Sequence, residues 1–292
     1  MAAKTVKRAS SSNSVPATPL LRKFVERSPS GGSASPEEAM ESLIRDCVRR
    51  KRLPEGTRRL DGFLRERKVI AVDGESSLDC DGYIEPMGRA YSDGFRIKLN
   101  DSVPPVRRRF TLAHEACHTF FYELVPEIKF RPHTTDEGEE RLCNFGAAAL
   151  LIPIARLRRR AKNLPPSIAA LQALASEFEV SLPAMLLRLR AVGLWELELS
   201  IWRRLTNGSF AMDRIYGSRY VPWRWVDERD IAIAWGSRST VFGSSFVLLQ
   251  RERSGALKFR PVVYEAQRRD DHVLVLWGRG LKRPRTRPST LF

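Results

Sequence analysis

The chain has 292 residues, of which 42% are apolar and 29% charged, and its 50 Lys and Arg against 34 Asp and Glu give a formal charge of +16. Such a length holds two or three domains with a sizeable core, and the charge suits an acidic partner, either nucleic acid or an acidic protein surface. No stretch approaches the ~20 apolar residues that span a bilayer, and Met1 to Arg8 leads into Ser and Pro rather than an apolar run, which argues against a secretory leader.

Residues 1–36 are rich in Ser, Ala and Pro with scattered Lys and Arg. They are expected to form a disordered basic arm, although Leu20, Leu21, Phe24 and Val25 make a short apolar patch. Ser35 then reads as an N-cap with Pro36 at the first helical position, and a helix follows to about Arg50. Val69 to Val72, Tyr83 to Pro86 and Phe95 to Leu99 read as strands, with turns at Asp73-Gly74, Asp81-Gly82 and Asp93-Gly94. Pro104-Pro105 opens a helix from about Val106 to Glu123, and a second runs from about Glu137 to Leu151 and stops at Pro153. Residues 37–153 thus make one folded unit. Residues 154–198 are helical in pattern, and residues 199–292 read as α+β or mostly β. Cys47, Cys80, Cys117 and Cys143 include no C-x-x-C pair. They are read as reduced thiols, and the protein as cytoplasmic.

His114-Glu115-Ala116-Cys117-His118 carries H-E-x-x-H. On a helix, residues four apart share a face, so two imidazoles can meet one metal ion while Glu115 reaches a water molecule without being a ligand. Phe110, Leu112, Ala113, Phe120 and Phe121 surround the motif, a poor setting for an accidental polar pair. A catalytic zinc site needs a third protein ligand. Spacing leaves His133, Asp136, Glu137, Glu139 and Glu140 open, while Cys117 reads as a small buried residue.

Arg109 to Glu115, followed by Glu140 to Pro153, resembles the ImmA/IrrE family of metallopeptidases, in particular its radiation-response branch. The resemblance implies a zincin-like peptidase domain over residues 37–153, a helix-turn-helix-like segment over 154–198 and a GAF-like α+β domain over 199–292. It implies that His114, His118 and Glu140 bind zinc, with manganese as an alternative metal, that Glu115 is the catalytic base, and that Glu139 matters much less to the metal. It also implies site-specific cleavage of a helix-turn-helix repressor, which derepresses stress-response genes. The chain departs from the family in its long basic arm and in the shorter span between His118 and Glu140.

In the middle segment, Ile168 to Ser181 reads as the first helix and turn of a helix-turn-helix, and Leu182 to Val192 as the second helix. Arg188 and Arg190 are candidates for weak, non-specific contact with DNA phosphate. This suggests a rival reading, a DNA-binding regulator whose metal site is structural or vestigial. Trp223, Trp225, Trp235 and Trp277 read as core aromatics more readily than as a ligand pocket, and His272 as structural.

Overall fold

The computed structural model describes residues 18–29, 34–53, 58–88, 91–125, 136–217, 226–237, 240–251 and 257–282. The chain divides between Leu151 and Ile152 into two compact units.

The first unit is helices around a small sheet. Helix α1 (Pro19–Arg27) starts at Thr18, whose hydroxyl accepts from the Leu21 amide at 3.3 Å. Its Leu21 and Phe24 are buried, and the Phe24 ring stacks on Phe121 with centroids 4.5 Å apart. This corrects the expectation of a disordered arm over 1–36 for residues 19–27; residues 1–17 and 30–33 lie outside the described residues. Helix α2 (Pro36–Arg50) has the expected start, a capping box between Ser35 and Glu38. Helix α3 (Arg58–Glu66), which the sequence reading did not anticipate, buries Leu60, Phe63 and Leu64 at i, i+3 and i+4.

Strands β1 (Val69–Gly74), β2 (Gly82–Met87) and β3 (Gly94–Leu99) form a sheet in the order β1-β3-β2. Strand β1 is parallel to β3 and β2 antiparallel to it. Phe95, Ile97 and Leu99 alternate into the core, as period-2 burial requires. Helix α4 (Pro105–Leu124) packs on β2 and β3 and against helix α5 (Glu137–Leu151). A Cβ on Gly146 of α5 would lie 2.8 Å from the Cys117 sulfur and 3.2 Å from Met40, so glycine there permits the close approach of α5 to α4 and α2.

The second unit begins with α6 (Ile154–Ala161), α7 (Ile168–Glu177) and α8 (Leu182–Ala191). Strands β4 (Glu196–Arg204) and β5 (Phe210–Tyr216), helix α9 (Glu228–Ser237), and strands β6 (Val241–Arg251), β7 (Leu257–Arg269) and β8 (His272–Arg279) follow. The five strands form an antiparallel sheet in the order β5-β4-β8-β7-β6. Helix α9 covers one face, where Ile231 and Ala234 pack with Tyr264, Val273, Val275 and Trp277. Leu274 and Leu276 alternate to the other face and are buried. Helix α8 packs on β4, and the Ile168 amide that opens α7 donates to Glu265 of β7 at 2.9 Å. The segment expected as a separate middle part, 154–198, therefore belongs to the same compact unit as the last third.

Candidate metal centre

Helix α4 begins with Pro105 and runs for 20 residues, long enough to carry His114, Glu115 and His118 through its buried middle. Arg67 secures its C-terminal half. The Arg67 Nε donates to Thr119 Oγ1 at 2.7 Å, its Nη2 donates to Glu123 at 2.6 Å, and its guanidinium sits 4.0 Å from the centre of the Phe120 ring. The arginines near the N-terminus of α4 are also engaged, with Arg107 paired to Asp81 and Arg108 to Asp101 at 2.6 Å.

His114, Glu115 and His118 are 9%, 7% and 7% exposed, so their polar atoms must find partners within the protein. Helix α5 supplies them. Asn144 Oδ1 lies 3.2 Å from His114 Nδ1, and Glu139 Oε1 lies 2.8 Å from His118 Nδ1. The two Nε2 atoms face each other at 3.2 Å, with the rings edge-on at 70°. Glu140 closes the third side: one carboxylate oxygen is 3.2 Å from His114 Nε2, and the other is 3.6 Å from His118 Nε2. The Glu115 carboxylate offers an oxygen within 4.8 Å of nitrogens of both imidazoles. Glu140 is 42% exposed at the side chain, so the centre opens to solvent on the side of that carboxylate.

The electrostatics suit a cation. A carboxylate accepts only, so Glu139 calls for a proton on His118 Nδ1 and leaves the Nε2 lone pair facing inward. Burial penalises the charged imidazole of His118, but the Glu139 hydrogen bond and the charges of Glu115, Glu139 and Glu140 outweigh it and raise the pKa. Two convergent imidazole nitrogens beside three carboxylates attract positive charge. His114, His118 and Glu140 could hold a divalent metal with an open position, and nitrogen and oxygen donors suit zinc or manganese.

Among the described residues, the remaining candidates have other settings. Asp136 caps α5, its Oδ1 accepting from the amides of Gly138 and Glu139 at 2.9 and 3.0 Å. Glu137 is exposed, and His133 lies outside the described residues. Burial drives the Cys117 thiol up to about 12 and so keeps it protonated, in line with its reading as a small core residue. Sequence reasoning gave Glu139 a minor part and Asn144 none. Glu140 and Asn144 are four apart on α5, the spacing of one helix face, which was the available signal. The Glu139 contact required the pairing of α4 with α5.

Arg188 and Arg190 are corrected. Arg188 is 2% exposed and its Nε donates to the Ile152 carbonyl at 3.2 Å. Arg190 donates to the Leu197 carbonyl at 2.7 Å and lies 3.8 Å from Glu198. Helix α8 turns its arginines into the unit and leaves Leu187 outside, 47% exposed, so neither arginine is placed to meet phosphate. Trp277 is core and Trp235 packs against the same cluster, as expected; Trp223 and Trp225 lie outside the described residues.

Among known proteins, a peptidase family described as the IrrE N-terminal-like domain matches residues 82–190. The radiation response metalloprotease IrrE of Deinococcus deserti is 37% identical over 109 residues, 33% of this chain and 37% of that protein. The protein of the same name from Deinococcus radiodurans is 37% identical over 94 residues, 29% of this chain and 27% of its own length. The match thus spans 37% of the one relative's length and 27% of the other's. A solved transcriptional regulator from Mycobacterium tuberculosis overlays 88% of this chain and 79% of its own at 15% identity, with a TM-score of 0.47.

Proposed function

We propose that the chain, whose residues 82–190 match the IrrE N-terminal-like peptidase domain, is an ImmA/IrrE-family zinc-dependent endopeptidase that cleaves a helix-turn-helix repressor and so derepresses stress-response genes. The observation that carries this reading is the convergence of His114 Nε2, His118 Nε2 and Glu140 beside a buried fourth group, Glu115. A purely structural metal site needs no base next to it.

Zinc in such a site supplies Lewis acidity toward a peptide carbonyl and a water molecule. His114, His118 and Glu140 would hold the ion. Glu115 accepts a proton from the attacking water as the new carbon–oxygen bond forms at the peptide carbonyl. It returns that proton to the amide nitrogen as the carbon–nitrogen bond breaks, leaving a carboxyl and an amine. The two Deinococcus relatives, both radiation response metalloproteases, support peptidase chemistry and a radiation response. The repressor substrate rests on the family resemblance, and reduced cysteines support a cytoplasmic setting.

The test is to incubate the zinc-loaded protein with any helix-turn-helix repressor found to be encoded by a neighbouring gene and to read the products by intact mass. Two fragments that disappear with a chelator are expected. An uncut repressor would favour the second reading, a DNA-binding regulator, for which the +16 charge speaks.

A further inference from the structure

Each imidazole of the centre uses one nitrogen toward the middle and the other toward α5. The groups met on the α5 side differ in kind. His118 Nδ1 meets a carboxylate, Glu139, at 2.8 Å, and His114 Nδ1 meets an amide oxygen, Asn144, at 3.2 Å. Glu139 is 4% exposed, and a charge so deep is costly unless it is paired. Its position is not explained by helix capping, because Asp136 takes the amides at the start of α5. Glu139 and Glu140 are neighbours in sequence, yet they meet opposite nitrogens of the same ring: Glu140 lies 3.6 Å from His118 Nε2.

We propose that Glu139 and Asn144 are positioning residues that hold the Nδ1 sides of His118 and His114, so that both Nε2 atoms face the place an ion would fill. Charge-assisted hydrogen bonds are the shorter and stronger kind, so Glu139 contributes more than Asn144. This reverses the minor part that sequence alone gave Glu139. The inference rests on the metal-binding reading of the centre and is independent of what the enzyme cleaves.

Zinc affinity of the full chain, measured by competition with a chromophoric chelator, tests it together with the ¹⁵N spectrum of the histidines in zinc-loaded protein. Glu139→Ala and Asn144→Ala should each weaken zinc by about 10- to 100-fold. Glu139→Gln and Asn144→Asp, which keep an acceptor in place, should recover most of the loss, a rescue that packing alone would not give. The wild-type spectrum should show zinc on Nε2 and a proton on Nδ1 of both rings, with the His118 Nδ1–H signal shifted in Glu139→Ala. Alanine variants that hold zinc as tightly as wild type would overturn the proposal, as would zinc on Nδ1 in the wild type. If Glu139→Ala does not fold, the Asn144 pair and the wild-type spectrum still decide. A wild type that binds no zinc would defeat the metal-centre reading itself, whereas alanine variants with unchanged affinity beside a zinc-binding wild type defeat only the positioning.

Discussion

Within the centre, two carboxylates near the same imidazoles carry different tasks. Replacing Glu115 with Gln removes a proton acceptor and leaves the groups placed to bind metal, so metal content should stay at the wild-type level while kcat falls by about 100- to 10,000-fold. Replacing Glu140 with Ala removes one side of the centre and should lower metal content itself. Metal analysis beside a cleavage assay separates the two, and an active Glu115→Gln would refute the assigned base. The H-E-x-x-H spacing was legible because it is local, set by the helical repeat alone. Glu140 was open among five candidates until the family resemblance singled it out. Arg188 was misplaced because a helix-turn-helix pattern locates the second helix but not which of its faces packs inward, and here that face takes the guanidinium to Ile152.

Among the elements, α1 and α3 escaped the sequence reading for one reason. Each spans only nine residues, too short to announce itself without the surface it covers. Phe24 finds that surface on Phe121, three residues beyond His118. Phe24→Ala should therefore destabilise the first unit by about 3–5 kcal/mol, read as a lower denaturation midpoint, and an unchanged midpoint would return α1 to the status of an arm. The longer α2 and α4 were legible from their proline starts, and α5 from its apolar spacing and the stop at Pro153. In the second unit, the α7 start rests on Glu265, whose pKa burial raises despite the hydrogen bond from Ile168. A carboxyl whose folded pKa is raised contributes stability that is complete below its ordinary value of about 4.5 and is lost as pH rises through the folded value. The second unit should then gain stability on acidification from neutrality toward that value, and Glu265→Gln, which keeps an acceptor for Ile168, should remove this gain. Denaturant titrations of both proteins across that window check it; parallel profiles would exclude Glu265 as the source.

Across the whole molecule, ion pairs engage some of the arginines but leave the surplus of +16 unchanged. Arg156 and Arg160 both reach Glu177, at 3.2 and 2.7 Å, whereas Arg158, Arg159 and Lys162 stand exposed on and just beyond α6. Weak, salt-sensitive DNA binding without sequence preference is expected to run through these residues rather than through Arg188 and Arg190. Replacing Arg158 and Arg159 by Ala should reduce the slope of log affinity against log salt by about 2 and leave zinc content unchanged. An unaltered slope would move the DNA contact elsewhere. Division into two units was legible only in part, because the helical pattern of 154–198 gave no sign that its helices share a unit with the sheet that follows. The metal centre has a different economy of chain. His114 and Asn144, its outermost members, are 30 positions apart and lie on one pair of packed helices, α4 and α5. Closing so short a separation costs little chain entropy, and local helical contacts form on the fast side of folding. During synthesis, then, the nitrogen pair and its carboxylates can be assembled and ready to take up an ion before the ribosome has finished the second unit.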